Sequence, residues 1–261
     1  MEFYFPRFKG DLAWAHAVGK GWGIADPIRH TVPLTRGPAH LIAATFAGWS
    51  MYRLALGVLL QQDRGLRPGE LLAIRRRDVT LPSQISWWHN NRYATITLGA
   101  RTGTKAKRPQ SSILRQSENT RLLELFTLCC DNTSYDQLLF PYSLETFRKA
   151  LKRFEAQVGV TCGYTPHSPR AGFASERYAD GESFTSLKET GRWLADTSLR
   201  TYIDVISAST VAVKYEAAGL TPALAWCFHH IGSYFPVGCF GVSASQLGSG
   251  LVTACRQRGG R

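Results

Sequence analysis

The chain has 261 residues, of which 44% are hydrophobic and 19% charged, so it can bury the core of one ample domain or two small ones. Its 31 lysines and arginines outnumber 19 aspartates and glutamates, which gives a formal net charge of +12. Such a surface attracts polyanions, DNA or RNA first among them, although a basic protein that merely stays soluble has the same balance.

The cysteines and the N-terminal residues bear on the cellular compartment. The six cysteines contain no Cys-x-x-Cys spacing, which argues against a structural zinc site and against a disulfide framework. Residues 1–9 lack the apolar run and the cleavage site of a signal peptide. We therefore expect a protein that is not secreted and that keeps free thiols in a reducing compartment.

The N-terminal part of the chain predicts an irregular segment followed by buried helices. Residues 1–32 carry scattered glycines and prolines and are expected to form an irregular lead-in. The apolar stretch 38–62 is too broken for a membrane span and predicts one or two buried helices. Gly65 favours a helix C-terminus and Pro68 the first turn of another helix, which leaves Arg67 on the connection. An arginine there is usually a solvated loop residue.

Residues 85–114 change to a two-residue period. The segments ISWWH, RYATITL and QSSIL, separated by turns, predict a small antiparallel sheet of three strands. The second turn, ARTGTKAKRP, concentrates four basic residues at one tip: Arg101, Lys105, Lys107 and Arg108. A charged hairpin end is common, and the same composition suits a flexible cationic finger that reaches into DNA.

Two helices are predicted after the hairpin, at residues 118–130 and 143–158. In the second helix, Phe147, Leu151 and Phe154 lie on one apolar face, opposite lysines and an arginine. This aromatic spacing is typical of core packing and not of a cofactor site.

A third helix is expected to begin beside a histidine and an arginine. Pro166 favours a stop, Ser168 an N-cap and Pro169 the first helical turn, so His167 and Arg170 lie at the mouth of the helix. Unpaired backbone N–H groups and the positive end of the helix dipole would then lie beside two side chains that can bind an anion.

Two further short helices follow in the sequence. Ser183 can cap the first, which Gly191 ends, and Trp193 comes just after it. Asp196 can cap the second, and Tyr202 is expected inside that helix. Two cationic groups and a phenol brought together by three short helices suggest chemistry on a phosphate.

The C-terminal part has a different character. A helix is predicted over residues 207–218, and residues 217–255 contain no Asp, Glu, Lys or Arg. Residues 219–261 are expected to form an uncharged, poorly ordered tail, since their prolines, histidines and many glycines disfavour a membrane segment. This part also contains four possible metal ligands: Cys227, His229, His230 and Cys239. Their spacing in the sequence fits no metal-binding pattern well.

Over roughly residues 33–218 the chain resembles the catalytic domain of the tyrosine recombinases, the phage-integrase superfamily. Its segment GLRPGEL is similar to the family's first box, and the segment HSPR is similar to the family's H-x-x-R box. The family then has a histidine or tryptophan, matched in the segment GRW, and a nucleophilic tyrosine, matched nine residues later. The positions that carry the resemblance are Arg67, Glu70, His167, Arg170, Trp193 and Tyr202.

The resemblance implies that the hydroxyl of Tyr202 attacks a phosphodiester of double-stranded DNA, leaving a 3′-phosphotyrosine and a free 5′-hydroxyl. A phenol, with a pKa of about 10, is a poor nucleophile near neutral pH, so surrounding cations must favour its anion. Guanidinium groups at Arg67 and Arg170 can bind the non-bridging oxygens bidentately. His167 would add a hydrogen bond or take the phenolic proton.

By the same analogy, a lysine of the hairpin protonates the departing 5′-oxygen. We assign this role to Lys105, with Lys107 and Arg101 as the alternatives. Trp193 would supply an indole N–H and pack the helix of the nucleophile, and Glu70 would support the arginines. No cofactor and no metal ion are expected, because the arginines neutralise the charge that Mg²⁺ handles in other phosphoryl-transfer enzymes.

The resemblance also implies an α+β fold, mainly α-helical, with a small antiparallel sheet. The expected partners are double-stranded DNA and other copies of the chain, as a tetramer, with no membrane contact. The expected location is the nucleus in a eukaryote, and otherwise the cytoplasm or nucleoid.

Two departures from the family leave alternatives open. These recombinases usually carry a separate helical domain ahead of the catalytic one, and the lead-in is too short for it. Asp204 stands where the family often has a histidine. One alternative is a type IB topoisomerase, which shares the fold and the cleavage chemistry. The other is a non-catalytic DNA-binding remnant of a mobile element.

Overall fold

The computed structural model describes residues 31–84, 92–99 and 109–241, a part of the chain that is mainly α-helical with one small antiparallel sheet. Its helices are α1 (Arg36–Gly48), α2 (Tyr52–Arg64), α3 (Pro68–Ala73), α4 (Thr120–Asp131), α5 (Leu144–Val158), α6 (Ser168–Ala179), α7 (Phe184–Thr190), α8 (Asp196–Arg200), α9 (Val205–Ala217) and α10 (Thr221–His230). Its strands are β1 (Val79–Thr80), β2 (Tyr93–Leu98) and β3 (Gln110–Arg115), and short 3₁₀ turns cover Arg76–Asp78, Pro82–Gln84 and Ile231–Tyr234.

The sheet has the order β1-β2-β3, with both pairs antiparallel, so a small three-stranded antiparallel sheet is confirmed. Strands β2 and β3 are the predicted segments RYATITL and QSSIL, whereas β1 lies before the predicted range. In β2 the side chains of Ala94, Ile96 and Leu98 are buried and alternate with more exposed ones, as in a half-buried strand. The first strand of the described sheet is β1, in which Val79 pairs with Ile96. The predicted strand ISWWH lies outside the described residues.

Helices α1 and α2 pack against each other at the centre of the core, so the apolar stretch 38–62 forms two buried helices. The helices predicted at 118–130 and 143–158 are α4 and α5, each within two residues of the expected bounds. Asn119 and Ser143 cap them, because each side-chain oxygen accepts a hydrogen bond from a backbone N–H of the first turn. Both predicted helices are therefore confirmed, and the structure adds the residues that cap them.

Helix α6 packs on α2 and lies directly against the segment that precedes α1. The backbone N–H of Leu34 donates to the carbonyl oxygen of Ser168 at 2.9 Å. A Cβ atom at Gly172 would lie 1.8 Å from the carbonyl oxygen of Leu34, so the close approach requires glycine at this position. This contact fixes the N-terminal end of α6, where the predicted histidine and arginine lie.

The C-terminal part of the described chain differs from the expected tail. Residues 219–241 fold onto the core, with α10 against α1 and with Cys227, Ile231 and Phe240 buried. Arg53 donates from Nη2 to the carbonyl oxygen of Phe240 at 2.6 Å. Several apolar side chains of this uncharged segment are buried in the core, which composition alone did not indicate. Residues 242–261 lie outside the described residues. Within the described ranges, no helix is long and apolar enough to cross a membrane.

Candidate active site

Arg67 lies on the connection between α2 and α3, as the sequence predicted. Gly65 ends α2 in the left-handed conformation, with φ of 58°, which glycine adopts without a steric penalty. Arg67 is the N-cap of α3 and Pro68 is its first residue. Glu70 accepts from the backbone N–H of Arg67 at 2.9 Å and from its Nη1 at 2.6 Å. The side chain of Arg67 remains 22% exposed.

Arg170 lies in the first turn of α6 and is fully buried. Its Nη2 donates to the carbonyl oxygen of Gly191 at 2.8 Å, and its Nη1 donates to the carbonyl oxygen of Gly65. Both glycines are C-caps, of α7 and α2, so the guanidinium neutralises carbonyl groups at the negative ends of two helices. Burial lowers the pKa of Arg170 to about 9, and the charges of Arg67 and Arg192 act in the same direction. These bonds differ from the bidentate phosphate contact expected from the sequence.

Trp193 and Tyr202 lie against the Arg170 guanidinium. Its central carbon is 3.9 Å from the Trp193 ring centroid and 5.4 Å from the Tyr202 ring centroid. The two ring centroids are 5.6 Å apart, and Trp193 also stacks on Phe173. The indole Nε1 of Trp193 is buried and has no hydrogen-bond acceptor among the described residues. The Trp193 ring therefore packs against the Arg170 guanidinium and against the rings of Tyr202 and Phe173.

The backbone around Tyr202 differs from the prediction. Helix α8 ends at Arg200, and Tyr202 lies in the turn before α9, not inside a helix. Asp196 is the first residue of α8 and not its N-cap. Asp204 caps α9 by accepting from the backbone N–H of Ser207 at 2.9 Å. The new helix begins at Val205, three residues after Tyr202, so α8 and α9 are separate helices.

A serine of α6 holds this turn in place. The hydroxyl of Ser175 donates to the carbonyl oxygen of Tyr202 at 3.0 Å, and it accepts from the backbone N–H of Asp204 at 2.9 Å. The backbone on both sides of the tyrosine is therefore fixed to the helix that carries Arg170. In the sequence, Ser175 cannot be distinguished from any other polar helical residue, so its role is visible only in the structure.

Arg192 is a second site residue that the sequence did not predict. It is buried, and its Nη2 lies 3.2 Å from Oε2 of Glu70. Burial disfavours the charged form of Glu70, but Arg192 and Arg67 more than offset it and hold the pKa of this carboxyl below its usual range. Glu70 is thus the carboxylate of both Arg67 and Arg192, whereas the Arg170 guanidinium donates to carbonyl oxygens, which leaves excess positive charge beside Tyr202.

His167, the other predicted residue at the start of α6, lies at the surface. His167 is the N-cap of α6 and is exposed, three residues before the buried Arg170. The predicted helix start at the histidine–arginine pair is therefore confirmed, with the cap one residue earlier than expected.

The basic residues of the hairpin tip lie outside the described residues: Arg101, Lys105, Lys107 and Arg108. In the three described ranges, no group of three or more His, Cys, Asp or Glu side chains could hold a metal ion.

No protein-family model and no curated protein matches the chain, whereas solved structures do. The XerA recombinase structure is 18% identical over 73% of this chain and 65% of its own, with a TM-score of 0.50. The XerH site-specific recombinase bound to difH substrate, in a pre-cleavage complex, is 16% identical over 67% of this chain, with a TM-score of 0.49. The Tn1549 transposon integrase in complex with transposon right end DNA is 14% identical over 74% of this chain, with a TM-score of 0.49.

The likeness to XerA establishes the fold. The chain has the tyrosine recombinase catalytic fold, mainly α-helical with a small antiparallel sheet, as the resemblance implied. The chain spans 50% of the length of the XerH structure and 65% of XerA.

Proposed function

We propose that this protein breaks and rejoins double-stranded DNA as a site-specific recombinase or integrase, through a covalent intermediate on Tyr202. The observation that carries the proposal is the excess positive charge that Arg67, Arg170 and Arg192 create beside a phenol ring. Buried charges are usually paired, so a cluster of guanidinium groups with one carboxylate favours an anionic ligand. A DNA phosphodiester supplies that anion.

The reaction makes one bond to phosphorus and breaks another. Oη of Tyr202 bonds to phosphorus, the bond from phosphorus to the 5′-oxygen breaks, and the strand is held as a 3′-phosphotyrosine. The phenolic proton passes to His167, and the departing 5′-oxygen takes a proton from Lys105. Attack by the 5′-hydroxyl of a second strand reverses these steps and frees Tyr202.

The arginines stabilise the negative charge that develops on the non-bridging oxygens. Arg67, which is partly exposed, binds those oxygens, while Arg170 contributes its charge from beneath and holds the Trp193 and Tyr202 rings. Loss of one pre-organised donor of this kind typically costs about 3–4 kcal/mol of barrier, or more than a hundredfold in rate.

The wider assignments follow from the same proposal. The catalytic domain covers residues 33–218 behind a lead-in at 1–32. A tetramer assembles on DNA, and Arg101, Lys107 and Arg108 contact the duplex. The protein works without a metal cofactor, at the location of its DNA: the nucleus in a eukaryote, and otherwise the cytoplasm or nucleoid.

The test uses a duplex selected by binding from a randomised pool and then nicked close to the cleavage position. Release of the short fragment beyond the nick traps the protein on DNA, and the adduct is detected on a denaturing gel. Wild-type protein should form the adduct, and Tyr202→Phe should bind equally well and form none. Tyr178→Phe is the matched control, because this tyrosine is exposed in the last turn of α6, away from Arg170 in the first turn; it should react like wild type.

Each other outcome contradicts part of the proposal. If no duplex is selected, the protein does not bind DNA. If the wild type binds but forms no adduct, the non-catalytic alternative is correct. If the adduct forms and plasmids are relaxed, but no strand is joined to a second duplex, the protein acts as a type IB topoisomerase.

A further inference from the structure

Arg192 has a backbone conformation that is unusual for its residue type. Among the described residues, the non-glycine residues with positive φ are Ser50 and Arg192, and the φ of Arg192 is 58°. A Cβ atom is disfavoured in this left-handed region, where glycine is the default residue. Arg192 is also buried, so its guanidinium has lost most of its hydration. A residue in this position is therefore expected to make contacts that glycine could not make.

The guanidinium of Arg192 joins three elements of the fold. Its Nη1 donates to the carbonyl oxygens of Thr190 at 3.0 Å and Arg64 at 3.4 Å. Its Nη2 donates to the carbonyl oxygen of Gly65 at 3.3 Å and to Oε2 of Glu70 at 3.2 Å. The end of α7 is thereby tied to the end of α2 and to the start of α3, so both sides of the candidate site are connected.

Arg67 is oriented by two acceptors, and Arg192 acts on both. The backbone carbonyl of Arg192 accepts from Nη2 of Arg67 at 3.3 Å. Nη1 of Arg67 donates to Oε1 of Glu70, the carboxylate whose other oxygen receives Arg192. A carboxylate shared between two guanidinium groups neutralises neither completely. Arg67 therefore keeps part of its positive charge for a ligand, which an unshared pair with Glu70 would cancel.

We propose that Arg192 is a positioning residue for the candidate site. It shares Glu70 so that Arg67 remains free to attract a phosphate, and it holds the segment that carries Trp193 against the Arg67 connection. This inference rests on the proposed function, because its effect is read in the cleavage step. Arg192 does not contact the reacting atoms; it acts through Arg67 and Glu70.

The test compares two variants of similar size that differ in charge, Arg192→Lys and Arg192→Gln. Single-turnover adduct formation on the nicked duplex is measured separately from the dissociation constant of the same duplex with Tyr202→Phe in the background. Arg192→Gln should slow adduct formation by about 10- to 100-fold, with duplex affinity within about threefold of wild type. Arg192→Lys should recover about tenfold of the lost rate, because an ammonium can still occupy Glu70.

A double-mutant cycle separates this role from a general structural one. In the Glu70→Gln background there is no carboxylate to share, so Arg192→Gln should slow the reaction further by less than about threefold. Arg121→Ala, which removes an exposed charge from α4, is the control and should leave adduct formation unchanged.

The outcomes distinguish the inference from the function on which it rests. If wild type forms no adduct, both are overturned. If wild type reacts and either the Lys and Gln variants behave alike or the two substitutions are additive, the function stands and the positioning role is wrong. If Arg192→Gln does not fold, as judged by circular dichroism, Arg192→Lys remains decisive. This variant is expected to bind the duplex with wild-type affinity and to cleave it more slowly. A weakened affinity with an unchanged cleavage step would overturn the proposal.

Discussion

The guanidinium of Arg170 lies over the indole of Trp193, with its central carbon 3.9 Å from the ring centroid. Both groups are shielded from solvent, because Arg170 is fully buried and Trp193 is 5% exposed. A cation held on an aromatic face without competing water is stabilised by about 2 kcal/mol, against about 0.5–1 kcal/mol at an exposed site. Trp193 therefore helps to keep a buried positive charge beside Tyr202.

This difference can be measured with two tryptophans. Trp193→Phe should lower the free energy of unfolding by about 2 kcal/mol, since it loses indole contact with both Arg170 and Phe173. Trp49→Phe is the matched control, because Arg153 lies 4.0 Å from the Trp49 ring centroid in a partly exposed setting. It should cost less than about 1 kcal/mol. Urea denaturation followed by circular dichroism gives both values, and equal costs would contradict the role of burial.

The approach of α6 to the segment before α1 leads to a second prediction. Gly172→Ala would place a Cβ atom 1.8 Å from the carbonyl oxygen of Leu34, so the backbone must move. We expect a loss of about 3 kcal/mol in the free energy of unfolding. Because α6 carries Arg170, adduct formation by the folded fraction of Gly172→Ala protein should also be slower than by wild type.

Gly37→Ala provides the matched control for that substitution. Gly37 is also helical, in the first turn of α1, and a Cβ atom there meets nothing within 4 Å in the described part of the chain. Alanine is the better helix former, so this variant should be as stable as wild type or up to about 1 kcal/mol more stable. A similar destabilisation by both substitutions would show that the Leu34 contact is not the cause.

The elements that the sequence predicted well are governed by local chemistry. Gly65 had to end a helix and Pro68 had to begin one, so the position of Arg67 followed from its neighbours. Ser183 accepts from the first turn of α7 for the same reason. Most of the other residues of the candidate site were identified from the order of the short sequence motifs, because the spacing of such motifs can be read without a structure.

The features that the sequence did not predict depend on contacts between distant residues. The left-handed backbone of Arg192 and its bond to Glu70 cannot be read from the segment GRW, since both depend on where α3 packs. The inward orientation of Arg170 depends on carbonyl groups at the ends of two helices. The expected tail was assigned from composition, whereas burial of Phe240 is decided by Arg53 and the core around it.

Buried cysteines provide a third prediction, one that does not depend on function. Burial raises the pKa of the Cys129 thiol to about 11, although the Arg53 guanidinium, whose Nη1 lies 3.3 Å from the sulfur, acts in the opposite direction. The thiolate is the reactive form, so iodoacetamide at about pH 8 should not alkylate Cys129 in the native protein. In urea it should react at the rate of a model thiol. Peptide mass spectrometry distinguishes this site, and rapid alkylation of native protein would contradict its burial.

The shared carboxylate of Glu70 predicts how stability depends on pH. Arg192 and Arg67 outweigh burial and hold the pKa of Glu70 in the folded protein below its usual value of 4.5. Between these two pKa values the unfolded chain binds more protons than the folded chain, so the free energy of unfolding falls as the pH drops through that window. The stabilisation by the carboxylate is fully present above pH 4.5 and is lost as the pH falls through the folded-state pKa.

Glu70→Gln removes this titration and so isolates it. The difference in unfolding free energy between wild type and Glu70→Gln should be largest near pH 6 to 7, at about 3 kcal/mol, because the variant leaves the buried Arg192 and the partly exposed Arg67 without their carboxylate. It should shrink steadily below about pH 4, where the wild-type carboxylate is also neutralised. Glu124→Gln, which breaks an exposed pair with Arg121, should differ from wild type by less than about 1 kcal/mol at any pH. A Glu70 difference that stays constant down to about pH 3 would mean that the carboxylate does not hold the two arginines together.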